Sequence, residues 1–185
     1  FTEGKTDIEY LKIAFDTFSD YQQIKDRIIY YDINNSNETG DAELFSIFKY
    51  LQKGSDPNIK ICIFDRDVLK YIISNEYEEG ENNVFRFNIP TPSHRNNADL
   101  ISIEHYLTDD NLHTIDNAGR KVFLAKDFNS KGITSDRQFI WKHAKTPDSK
   151  DYNPLEIISG SGNKKVFKVD EETETNYALS KIDLI

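Results

Sequence analysis

The chain has 185 residues, 37% of them hydrophobic, and carries 23 basic against 32 acidic side chains for a formal net charge of −9. That is enough chain for one domain with a core plus an extension, and too acidic to hold nucleic acid on a broad basic face, because such binding draws on phosphate neutralisation by Lys and Arg. No apolar run of membrane-spanning length and no basic stretch leading into an apolar segment is present, so a cytoplasmic location is expected.

The chain opens on "FTEG", read as a first short strand closed by Glu3 and turned by Gly4. Ile8, Leu11, Phe15 and Phe18 then recur at helical spacing and predict an amphipathic helix. "RIIYYDI" (27–33) is β-branched and aromatic, which predicts a second strand, followed by a polar loop that ends at Gly40. "DAELFSIFKYLQKG" places Leu44, Phe48 and Leu51 on one face, with Asp41 as a cap and Gly54 as a stop. "IKICIFDRD" (59–67) is a continuous apolar run ending in two acids, the pattern of a strand covered on both faces. Cys62 lies inside it and reads as a small buried apolar residue, not a nucleophile.

"VLKYIISNEYEEG" predicts a short helix, "NNVFRFNIP" a fourth strand, and "ADLISIEHYL" a further helix. Strands alternating with helices give an α/β fold, with a parallel sheet of about four strands flanked by helices. Beyond about residue 120 the rhythm weakens. The expected division is an α/β domain over 1–125 and an α+β extension over 126–185, with a polar loop "HAKTPDSKDYNP", two short strands in "LEIISGSGNKKVFKVD" and a closing helix in "EETETNYALSKIDLI". Methionine is absent and the chain starts inside a strand, so it is expected to be a piece of a longer polypeptide.

Parallel sheets bind ligands beyond the carboxyl ends of their strands. Glu3 ends the first strand and Asp7 opens the helix after it; Asp65 and Asp67 end the third strand, and side-chain alternation points both the same way with Arg66 opposed. If the first and third strands are neighbours, these four carboxylates converge. A carboxylate set without His or Cys selects hard cations, Mg²⁺ or Mn²⁺. Ions so held bridge a phosphate and activate water. Taken singly, each acid is equally well read as a solvated or capping residue.

"TEGKTD" followed by "IFDRD" resembles the Toprim domain shared by topoisomerases, bacterial primases, recombination-mediator proteins and the overcoming-lysogenization-defect nucleases, over roughly residues 1–110. The resemblance implies that Glu3 binds metal or acts as general acid or base, that Asp65 and Asp67 bind metal, and that Asp7 is a further metal ligand. "EGKTDIEYL" and "SIEHYL" look most like the nuclease branch and its relatives in phage defence, in which the Toprim domain is joined to an ATPase domain of the ABC type. Glu104, near Ser102, then matches an acid for a second metal. Lys181 in "ALSKIDLI" matches a late lysine that stabilises phosphate charge, although Asp183 and Leu184 depart from the family pattern; Lys126, Lys164 and Lys165 are its rivals.

The resulting expectation is a Mg²⁺- or Mn²⁺-dependent nuclease acting on nucleic acid, DNA before RNA, with an ATPase domain in the same or a partner chain. The alternatives are a non-catalytic Toprim interaction module and a topoisomerase- or primase-type Toprim domain. His94, His105, His113 and His143 lack zinc-ligand spacing and read as surface or packing residues. Trp141 reads as a packing anchor and Arg95 as an exposed loop residue. No phosphate-binding glycine loop is found.

Overall fold

The computed structural model describes residues 1–31, 40–95, 98–160, 162–171 and 175–180. It divides into two compact units, Phe1–Ile103 and Glu104–Ile185, so the division falls ahead of the compositional boundary at 125.

The first unit mixes helix and sheet. Helix α1 (Lys5–Thr17) forms where the apolar spacing predicts it, and α2 (Gln22–Lys25) follows after a 3-10 turn. Helix α3 (Asp41–Leu51) starts from Gly40 as its N-cap, with Asp41 as the first helical residue. Strand β1 (Lys60–Phe64) pairs in parallel with β3 (Val84–Asn88), and Thr2 makes an isolated parallel bridge to Ile63 on the other edge of β1. The first and third predicted strands are therefore neighbours, although the first is reduced to one bridging residue. Leu44 and Phe48 of α3, both fully buried, pack with Cys62, Phe64 and Val84, and Cys62 is the core residue that its apolar run implies.

Four expectations are corrected in this unit. Residues 28–31 form no strand, and the rest of the predicted strand lies outside the described residues. The run fails as a strand because Ile29 is 89% exposed and Tyr31 58%, so its apolar side chains bury little area. "VLKYIISNEYEEG" makes only a 3-10 turn at Leu69–Tyr71 and then strand β2 (Tyr77–Glu79), which pairs antiparallel with β3. The sheet is thus mixed, in the order β1-β3-β2. The helix expected over "ADLISIEHYL" is replaced by an antiparallel bridge between Arg66 and Ile101 and a 3-10 turn at Ile103–Tyr106, because Ile101 gives both its backbone hydrogen bonds to Arg66.

In the second unit, a four-residue helix α4 (Asp109–Leu112) is capped by Thr108. Short antiparallel pairs join β4 (Phe123–Leu124) to β6 (Ile157–Ile158) and β5 (Phe139–Trp141) to β7 (Val166–Lys168). The two strands expected around the Gly-Ser turn exist, but each pairs with an earlier strand. Phe123, Phe128, Phe139, Trp141, Ile158 and Val166 form the core. In place of the expected closing helix, residues 175–180 are not helical: Ala178 bridges Lys121 in parallel; positions 172–174 and 181–185 lie outside the described residues.

No helix among the described residues is long and apolar enough to cross a membrane.

Candidate metal centre

The parallel bridge between Thr2 and Ile63 brings the residue after each short segment to the same end of the sheet. Glu3 Oε1 accepts a hydrogen bond from the main-chain N–H of Asp65 at 2.8 Å. The third component arrives from α3. Burying Leu44 and Phe48 against β1 fixes that helix, and its first residue, Asp41, lands beside Glu3. One carboxylate oxygen from each of Glu3, Asp41 and Asp67 lies within 4.8 Å of the other two, with Glu3 and Asp41 half-buried and Asp67 exposed.

The electrostatics of this cluster are unfavourable for three bare carboxylates. Burial, hydrogen bonding with the Asp41 carboxyl and the charges of Asp65 and Asp41 push the Glu3 carboxyl up to about 10, opposed only by the Asp65 N–H. Asp41 Oδ1 is buried without a hydrogen-bond partner among the described residues. A buried acceptor left unmet is costly, and like charges at this spacing cannot all ionise without compensation. An all-oxygen donor set with no nitrogen or sulfur fits a hard divalent cation.

The remaining site candidates are distributed as follows. Asp65 stands beside the cluster, and its Oδ1 accepts from the Ile103 N–H at 3.1 Å, while its carbonyl accepts from Asn88 Nδ2 at 2.9 Å. Asp7 Oδ2 accepts from the Gly4 N–H at 2.9 Å, which caps α1. Glu104 belongs to the second unit and is fully buried. Lys181 lies outside the described residues. Of its rivals, Lys126 is paired with Asp109, Lys164 lies 3.8 Å from Glu156, and Lys165 is exposed.

Asp41 is the member that sequence reading missed. A lone acid after glycine at the head of an amphipathic run is the ordinary signature of a helix start, and only the packing of α3 reveals its second setting. Trp141 is a packing residue whose Nε1 donates to the Asn163 carbonyl at 2.9 Å. His105 and His113 are engaged with the Leu155 carbonyl and with Asp127, and Arg95 is buried where an exposed residue was expected.

No protein-family model, no curated protein and no solved structure matches the chain.

Proposed function

We propose that the first unit is a Toprim-type nuclease domain that hydrolyses phosphodiester bonds of DNA, with Mg²⁺ or Mn²⁺ held by Glu3, Asp41 and Asp67. The observation that carries this reading is the convergence of those three carboxylates at one end of the Thr2 and β1 parallel pair. The order of the acids along the chain and the adjacency of the first and third strand segments agree with the resemblance; the contribution of Asp41 departs from it.

A divalent cation in this setting supplies Lewis-acid stabilisation of charge on a phosphoryl oxygen and activation of water. The chain's own residues do the positioning. The Asp65 N–H fixes the Glu3 carboxylate, the first turn of α3 fixes Asp41, and Asp67 reaches in from the exposed side. Burial and the neighbouring acids favour the protonated form of the Glu3 carboxyl until the surrounding negative charge is compensated, which suits Glu3 to proton transfer in the cluster. Asp65 orients Glu3 through its main chain and adds negative charge beside it. A bound cation would also offset the acidic surface on which a phosphate must approach. An ATPase domain linked to this unit belongs to the same proposal.

The test is nicking of supercoiled plasmid by the chain with Mn²⁺, with Mg²⁺ and with EDTA, beside Asp67→Ala. Nicking that requires metal and disappears in the variant is expected. Nicking that persists in Asp67→Ala, or no nicking with either metal, overturns the hydrolytic reading.

A further inference from the structure

A cavity of about 990 Å³ opens beyond the carboxyl ends of β1 and β3. Its size lies at the upper end of the range of small-molecule sites, and its lining combines apolar residues such as Phe87 with Arg66, Ser74 and Asn75. Arg66 is the one cation among the described residues lining it. The Arg66 backbone is held rigidly, because its N–H donates to the Ile101 carbonyl at 2.8 Å and its carbonyl accepts from the Ile101 N–H at 3.1 Å. Its side chain has no such anchor. Nε is buried without a hydrogen-bond partner among the described residues, and Arg66 makes no ion pair with Glu76 or Asp99, although both line the same cavity.

A guanidinium whose Nε meets no partner among the described residues, and which leaves unengaged the two acids that share its cavity in a chain of net charge −9, calls for a partner from outside. Its planar fork matches phosphate oxygens in pairs. Arg66 also lies between Asp65 and Asp67 in sequence, and Asn88, on the cavity wall, donates to the Asp65 carbonyl, so the cavity adjoins the segment that carries the carboxylate cluster.

We propose that Arg66 clamps a phosphodiester of the nucleic-acid strand next to the one presented to Glu3, Asp41 and Asp67, with the cavity receiving the adjoining nucleotide. This deepens the nuclease reading and rests on it for the choice of ligand. A single embedded clamp would let so acidic a chain engage a polyanion without a basic face.

The test is the binding of a short fluorescein-labelled single-stranded DNA, and of the matching RNA, followed by anisotropy in EDTA across a range of salt concentrations. Arg66→Ala is expected to weaken binding about tenfold, the loss of one charged hydrogen-bonding contact. It is also expected to reduce the slope of log affinity against log salt by about 0.7, one phosphate of a single strand. Arg66→Lys retains the slope and recovers only part of the affinity, because an ammonium cannot fork. The thermal midpoint of each variant shows that it is folded. Absence of saturable binding by the wild-type chain, or an unchanged affinity and slope in folded Arg66→Ala, overturns the clamp. Arg66-dependent binding to either strand supports it even where metal-dependent nicking is absent, an outcome that would remove the hydrolytic reading alone.

Discussion

Glu3 and Asp65 are joined across 62 residues of sequence by a hydrogen bond of 2.8 Å from the Asp65 N–H to the Glu3 carboxylate. The bond uses backbone on one side, so the carboxylate is placed by the sheet and not by a flexible loop. With Asp41 and Asp67 set around it, the cluster could hold a cation, and a cation that bound the folded chain alone would raise its stability.

Mg²⁺ or Mn²⁺ at about a hundredfold over its Kd is expected to add about 2.7 kcal/mol, a rise of roughly 5–10 °C in Tm for a chain of this size. Asp41→Asn and Asp67→Asn each remove one charged oxygen donor and are expected to abolish most of that rise. Differential scanning fluorimetry with and without EDTA measures it. A full metal-induced shift in both variants would place the ion elsewhere.

The same cluster sets a pH dependence. The Glu3 carboxyl goes from its ordinary value of 4.5 up to about 10 in the folded chain. The folded state therefore holds a proton that the unfolded state has lost across that window, and stability falls as pH rises through it. In EDTA the first unit is expected to lose stability steadily from about pH 5 toward alkaline pH. Glu3→Gln, which carries no titrating group, flattens that slope, and added Mg²⁺ reverses it by favouring the ionised cluster. Tm measured at a series of pH values reads all three; a slope unchanged by Glu3→Gln refutes the assignment.

Asp7 separates capping from metal binding. Its carboxylate accepts the Gly4 N–H at 2.9 Å at the start of α1, so Asp7→Ala is expected to cost about 1 kcal/mol as a lost helix cap. The metal-induced rise in Tm should persist in the variant. Loss of that rise would return Asp7 to the ligand set that the Toprim resemblance implies.

Glu3 and Asp67 were singled out from the sequence because each stands just beyond a short apolar segment, Asp67 in the Asp65-Arg66-Asp67 run after Phe64, and strand-end acids need no knowledge of distant packing to be noticed. Asp41 was not, since its meeting with Glu3 depends on Leu44 and Phe48 burying against Cys62 and Phe64. Local sequence shows only a helix start. The segment after Asp67 failed for a related reason. "YIISNEYEEG" carries a helix-like apolar spacing, yet Tyr77 packs on Phe87 with ring centroids 5.6 Å apart, and Glu78 lies 2.8 Å from Arg86 Nε. Those cross-strand contacts, available only once β3 is in place, outweigh a weak local preference. Arg66 was read only as the residue opposed to Asp65 and Asp67, because sequence shows the residue but not the cavity it lines.

Gly132 gives a test confined to the second unit. It adopts φ +75°, and a Cβ there would lie 2.3 Å from the Trp141 carbonyl oxygen, a backbone atom held in strand β5. Gly132→Ala must therefore combine left-handed backbone strain, on the order of 1–3 kcal/mol, with displacement of Trp141 from its packing against Phe128, whose ring centroid is 5.6 Å away. Trp141 is the only tryptophan in the chain, so its fluorescence reports this unit selectively. A lowered unfolding midpoint by Trp141 emission is expected, with a red-shifted native spectrum as the indole loses its buried setting. A midpoint and spectrum equal to wild type would mean that the Gly132 turn and the Trp141 strand do not approach as closely as described.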